Sequence, residues 1–363
     1  MYLFVRSVGA LLFSAALLCL TVLVAGAAAS MPVQAGASSS DQAVQVLQYY
    51  PGTITVDVGD AVNWAVASRE VHTVSFGTPP GPFGSDQNNA PAGGATYAGT
   101  GWASSGILPP GKSYSLTFTT PGTFHYACAI HPSMHGVVVV QPAGTAYPAS
   151  QASYKPASDP VLVATLKAGQ AAVAAQKVTS KPNGNGTTTY WMDAGFGDGK
   201  TFAVQRFGTN ALTIHAGDSV VWTQTDPNEI HTVSFLDNGK DVPFTLPNGQ
   251  TNPQAAAPSG GKVYSGTGFF SSGILTPANT PAPGPHTYTL TFDKPGTFAY
   301  ECLLHDNLGM KGTITVLASM TPNALPSTGG VPSAAGALLG VLGLGLVAGG
   351  IGMHRRTRSN END

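Results

Sequence analysis

Residues 126–136 read Tyr126-Ala127-Cys128-Ala129-Ile130-His131-Pro132-Ser133-Met134-His135-Gly136, and residues 300–312 read Tyr300-Glu301-Cys302-Leu303-Leu304-His305-Asp306-Asn307-Leu308-Gly309-Met310-Lys311-Gly312. Each stretch sets a Cys at the end of one short strand-like run, a His three residues on, and a Met before the next run begins. Far upstream of each Cys stands the string HTVSF, beginning at His72 and again at His231. A thiol, two imidazoles and a thioether therefore recur in the same order.

The repetition extends outward from these stretches. Residues 97–108 (YAGTGWASSGIL) return as residues 264–275 (YSGTGFFSSGIL), and PGTF at 121–124 returns at 295–298. Gly59-Asp60 with Trp64 matches Gly217-Asp218 with Trp222. The chain thus holds one domain duplicated. Each copy reads as short β-branched or alternating runs between Gly, Pro and Asp turns: residues 53–58, 114–119 and 137–140 in the first, 211–215, 287–292 and 313–316 in the second. Such runs with no long helical pattern predict an all-β fold of two sandwiches in tandem, over residues 42–142 and 186–318. Residues 77–96 and 236–263 lack periodicity and read as long loops. Between the copies, 143–185 reads as a linker with a short helix, capped by Asp159, opened by Pro160 and reaching about Val178. Leu162, Leu166 and Val173 would share its apolar face.

The donor set selects the chemistry. Copper alternates between Cu(I), which favours soft sulfur, and Cu(II), which favours nitrogen in a tetragonal arrangement. Two imidazoles, one thiolate and a weakly held thioether suit both states, so little rearrangement accompanies gain or loss of an electron. Zinc suits Cys and His, but a thioether does not normally complete its site. A Cys/His nucleophile would want a third, orienting group, which the sequence does not display. The remaining alternative is a disulfide between Cys128 and Cys302, the two cysteines left once Cys19 is assigned to a leader segment. Their equivalent places in a repeat argue against it.

With these residues in view, the copies resemble the plastocyanin, amicyanin and pseudoazurin family of cupredoxins. Cys-x2-His-x2-Met in the first copy is similar to the amicyanin loop, and Cys-x2-His-x4-Met in the second to the plastocyanin loop. The resemblance implies a Greek-key cupredoxin sandwich in each copy and two type 1 (blue) copper sites. It implies ligands His72, Cys128, His131 and Met134 in one, and His231, Cys302, His305 and Met310 in the other. It also implies that the solvent-facing edges of His131 and His305 serve as electron ports. The expected function is electron transfer with a redox partner protein or a membrane electron-transport component. A two-domain copper oxidase or nitrite reductase is the competing enzyme reading, and a copper-storing or adhesive protein the third. The enzymes use extra histidines, commonly as His-x-His, and no His-x-His occurs here; His125, His135, His215 and His286 are scattered singly.

Composition narrows the partners. Only 9% of the 363 residues are charged and the formal net charge is -2, which leaves no basic stripe for nucleic acid. Residues 1–30 read as a secretory signal, with Arg6 before an apolar run and Ala25, Ala27 and Ala29 as small-residue cleavage sites. Residues 319–363 hold Leu325-Pro326-Ser327-Thr328-Gly329, an apolar stretch from about Val331 to Met353 that could cross a bilayer as a helix, and a tail with Arg355, Arg356 and Arg358. This tail resembles the cell-wall sorting signal of sortase substrates. A plain membrane anchor is the alternative. Either way the expected location is extracytoplasmic, held to the cell surface.

Overall fold

Alternate residues of Ser113–Phe118 and Thr287–Phe292 turn inward, and the two strands follow the same pattern: Leu116 with Phe118 in one, Leu290 with Phe292 in the other. That period of two is what a half-buried strand requires. The same holds for Gly122–Ala127 and Gly296–Glu301, which bury Tyr126 and Tyr300 at equivalent places. The computed structural model describes residues 28–81, 86–278 and 284–319, all within one compact unit.

Each copy forms two facing layers. In the first, Ser30–Ser38 pairs antiparallel with Val44–Tyr50 and parallel with Ala61–Val66, which pairs with Ser113–Phe118. The opposing layer runs Thr53–Asp57, His135–Gln141, Gly122–Ala127, Ser75–Phe76, Ala103–Ser105. The second copy repeats this order. Thr188–Gly197 takes the place of the first strand, pairing with Phe202–Phe207 and Ser219–Thr223. Its other layer runs Ala211–His215, Lys311–Leu317, Gly296–Glu301, Ser234–Phe235, Phe270–Ser271. Aromatic rings fill both interiors in the same geometry, with Trp64 edge-on to Tyr126 and Trp222 edge-on to Tyr300, centroids 5.3 Å apart in each. Cys128 and Met134 belong to the first core, Cys302 and Met310 to the second.

The copies are joined through their backbones. Val44–Tyr50 pairs antiparallel with Phe202–Phe207, its counterpart in the other copy, with Val46 opposite Phe202 and Val44 opposite Val204. One layer from each domain thereby becomes a continuous sheet. Ala43, Val44, Phe196, Phe202 and Val204 form a separate core at this seam, covered by Leu166, Ala172 and Val173 of the helix Gln151–Ala175. Leu162 and Leu166 pack on Ala37, Val46 and Tyr50 beside it. The helix lies close because residue 169 is glycine; a Cβ there would collide with Val44.

Several boundaries differ from those read in the sequence. The first domain takes in Ser30–Ser38, upstream of residue 42, and Ala29 is already tied to it by a bond from its amide to Asp60. The second takes in Thr179–Pro182, upstream of 186, which pairs with Thr188–Gly197. Ser30–Ser38 does alternate, burying Met31, Val33, Ala35 and Ala37, but it adjoins the segment read as leader over 1–30; Thr179–Pro182 is exposed along its length, and its place depends on its partner Thr188–Gly197. The helix starts at Gln151, with Ser150 rather than Asp159 at its cap position, and Pro160 lies inside it. Tertiary contact outweighs the local proline signal: Tyr154 packs against the first core and its hydroxyl accepts from the Thr55 amide at 3.3 Å. Among the described residues no helix is long and apolar enough to cross a membrane; residues 1–27 of the leader read over 1–30, and the LPSTG tail, lie outside the described residues.

The seam core gives a direct test of how firmly the copies are joined. Phe202→Ala should cost about 3–5 kcal/mol in the full chain, read by urea unfolding. Val163→Ala, on the exposed side of the helix, should stay within about 0.5 kcal/mol.

Candidate metal centres

Three segments bring the first donor set together. His72 is held by a backbone bridge to Leu108, just before the strand Ser75–Phe76. Cys128 follows the strand Gly122–Ala127 directly, and its amide bonds to the Met134 carbonyl at 2.9 Å. His131 and Met134 lie on the loop so closed, with the Met134 amide on the His131 carbonyl at 3.0 Å. In the second domain His231 is bridged to Leu275, the Cys302 amide meets the Met310 carbonyl at 3.0 Å, and the Met310 amide meets the His305 carbonyl at 3.1 Å. Loops of different length thus close over the same strand ends.

In both domains the Nδ1 atoms and the sulfur converge. His72 Nδ1 and His131 Nδ1 lie 3.1 Å apart, and Cys128 Sγ is 3.4 Å from His131 Nδ1. His231 Nδ1 and His305 Nδ1 are likewise 3.1 Å apart, with Cys302 Sγ at 3.8 and 3.6 Å from them. Donors sharing one ion at bond lengths of about 2.0–2.3 Å sit roughly 3–4 Å from each other, so the spacing fits a single metal in each pocket. All six side chains are buried. Both cysteines are free, which removes the disulfide alternative. Met134 and Met310 are fully buried in the same cores as their cysteines. His125 and His135 are exposed and His286 bonds through Nδ1 to the Thr276 carbonyl, so these histidines serve neither pocket.

A shell of fixed hydrogen bonds orients the donors. The Thr73 amide donates to Cys128 Sγ at 3.3 Å and the Thr232 amide to Cys302 Sγ at 3.4 Å, which favours a thiolate at both places. Each of those threonines accepts from the residue after the Cys, Thr73 from the Ala129 amide at 2.7 Å and Thr232 from the Leu303 amide at 2.8 Å. Ser68 Oγ lies 2.8 Å from His72 Nε2 and donates to the Glu70 carbonyl, so Nε2 carries the proton and leaves Nδ1 free to ligate. His231 Nε2 is buried with no matching bond. Two glycines make room for these rings. Gly36 and Gly195 occupy β-bulges at φ +68 and +79, and a Cβ at either would strike the Nε2 edge of His72 or His231.

The loop histidines do not face solvent, as the family resemblance implied they would. His131 is 3% and His305 2% exposed, because each domain covers the other's loop. His131 Nε2 lies 3.3 Å from Glu229, and His305 Nε2 lies 3.6 Å from Glu70 and 3.9 Å from Glu229. Glu70 and Glu229 hold equivalent places, two residues before the upstream His in EVHTVSF and EIHTVSF. The sequence signal for this contact is an acid two residues before the upstream His, repeated in both copies outside the shared HTVSF string. Ser133 and Asn228 add a further bond across the seam, amide to Oδ1 at 3.0 Å.

The carboxylates make the two pockets electrostatically unequal. Burial works to raise Glu229, but His131, aided by His305 and His231, outweighs it and holds Glu229 at about 2. Burial and the Glu229 charge push Glu70 up, to about 8. Burial opposes a charge on His131, yet Glu229 and Cys128 draw its pKa well up. Burial likewise opposes the Cys128 thiolate, but His131 and His72 bring that thiol well below its ordinary value. In the second pocket burial dominates, lifting Cys302 to about 11 and lowering His231 to about 3 and His305 to about 4.

Comparison with known proteins adds an independent finding. A family model described as copper binding proteins of the plastocyanin/azurin family matches residues 36–141 and again 197–317. Amicyanin-alpha of Methylorubrum extorquens is 28% identical over 134 residues, 36% of this chain and 98% of its own length. Amicyanin of Paracoccus denitrificans is 32% identical over 111 residues, 30% of this chain and 72% of its own. Plastocyanin of Scenedesmus fuscus is 29% identical over 97 residues, 26% of this chain and 88% of its own.

The bulge glycines predict a selective lesion. Gly195→Ala should displace the His231 ring and remove metal uptake from the second pocket while the first still fills. Elemental analysis after metal loading should show the loss of one equivalent, and Gly36→Ala should do the reverse.

Proposed function

The chain belongs to the plastocyanin/azurin family of copper-binding proteins, and from that premise we propose that it is an electron carrier with one type 1 copper site in each domain. The observation that carries this reading is the double convergence of two Nδ1 atoms and one sulfur at ligand spacing in buried pockets. Copper held there would supply one-electron chemistry, cycling between Cu(II) and Cu(I). His72, Cys128 and His131, or His231, Cys302 and His305, would hold the ion, and Met134 or Met310, buried in the same core, would offer a soft thioether donor. The protein's part is to prevent rearrangement. Backbone bonds close each loop onto its Cys, threonine amides fix the sulfur, and packed cores exclude water from the pocket.

A carrier fits better than an enzyme. The Cys and both His donors of each pocket are buried, with a Met in the same core, so the pocket has no exposed face to admit substrate. The LPSTG tail and the leader support a location outside the cytoplasm, fixed to the membrane or the cell wall through the C-terminus. Within that reading, cleavage after Ala27 would spare the bond between Ala29 and Asp60, whereas cleavage after Ala29 would remove it. The redox partner would be another protein or a membrane electron-transport component.

Copper reconstitution tests the reading. The full chain should show an intense thiolate-to-Cu(II) band that bleaches on reduction, with EPR signals integrating to two centres. Cys128→Ser and Cys302→Ser should each remove about half of both. Colourless copper-loaded protein, or sustained turnover of oxygen or nitrite by purified protein, would falsify the carrier assignment.

A further inference from the structure

The two pockets look at each other. Each loop histidine turns Nδ1 toward its own Cys and Nε2 toward a carboxylate at the seam. The arrangement is reciprocal: Glu229, from the second domain, meets His131 of the first, and Glu70, from the first, meets His305 of the second. Glu229 reaches both rings, through Oε1 to His131 and Oε2 to His305. Resting on the copper reading above, we propose that His131, Glu229 and His305 form an internal bridge across which the two centres exchange electrons.

Four observations carry this. Glu70 and Glu229 are each 6% exposed, and among the described residues neither pairs with Lys or Arg. Buried carboxylates are costly without partners, and the contacts these two make are with the Nε2 atoms of His131 and His305. The edge through which a loop histidine would otherwise meet an outside protein is sealed, so transfer along it leads to the other pocket. The seam is built from strand pairing and a shared core rather than from a flexible tether, which fixes the separation of the rings. Finally, the pair arises from the same position of the repeat, as an approximate two-fold arrangement of the domains demands. The step is balanced as it stands: one centre loses an electron, the other gains it, and no proton or group is transferred.

The test uses the full chain loaded with copper and carrying Met310→Gln, which replaces the candidate thioether donor with an amide and would make the second centre distinct in colour and potential. A short radiolytic pulse reduces a fraction of both centres, and absorbance follows the redistribution. The expected relaxation is first order, with a rate independent of protein concentration. Adding Glu229→Ala should slow it by at least about tenfold while both charge-transfer bands persist. Glu229→Gln, which keeps an oxygen and the side chain's length beside His131 Nε2, should restore part of the rate. A rate that rises in proportion to protein concentration, or an unchanged rate in Glu229→Ala, overturns the bridge and leaves the copper sites standing. So does a third equivalent of copper retained by the parent and lost in Glu70→Gln with Glu229→Gln, since the carboxylates would then hold an ion. Absence of the bands from the parent overturns the copper reading and the bridge together.

Discussion

The antiparallel pairing of Val44–Tyr50 with Phe202–Phe207 is the constraint from which the molecule's functional arrangement follows. Equivalent strands of a duplicated domain meet there, so the contact places like against like, as in an isologous dimer. An exposed edge strand would otherwise offer unpaired backbone groups to any passing chain. Here each domain caps the other's edge, and the helix Gln151–Ala175 seals the seam with Leu166, Ala172 and Val173. Once that register is set, the loop carrying His131 and the loop carrying His305 have no other place than the shared interface.

Within each domain a different division of labour holds. One rigid sandwich supplies the upstream His from a bridge beside the sheet, while a single loop supplies Cys, His and Met. The bulges at Gly36 and Gly195 let the strands Ser30–Ser38 and Thr188–Gly197 pass close behind the upstream imidazoles. The donors are thus held by the core that gives the domain its stability, with Cys128 and Met134 counted among its buried members. This is a preorganised pocket: the cost of gathering the ligands is met by folding rather than by metal binding. The pockets remain unequal, because Glu229 approaches His131 more closely than either acid approaches His305.

How much of this could be read in the chain divides along a physical line. The strand positions, the duplication and the order Cys-x2-His-Met are local patterns, and the structure places the strands at Ser113–Phe118, Thr287–Phe292 and Ala211–His215 where alternation indicated them. Ser30–Ser38 carries a period-two pattern that its position beside the leader masks, whereas Thr179–Pro182 has no such pattern and becomes a strand only because Thr188–Gly197 supplies the ladder. The true start of the helix was hidden for the same reason, as Tyr154 is held by Thr55 from another element.

By itself, the sequence determined the chemistry: which side chains are present, in what order, and that they occur twice, because donor identity and repeat spacing are properties of a linear string. Only the tertiary structure decided that His131 and His305 face inward and that Glu70 and Glu229 lie between them. The orientation of one domain on another depends on which strand edges pair and what the helix covers. Those are contacts between segments far apart along the chain, and no local pattern encodes them.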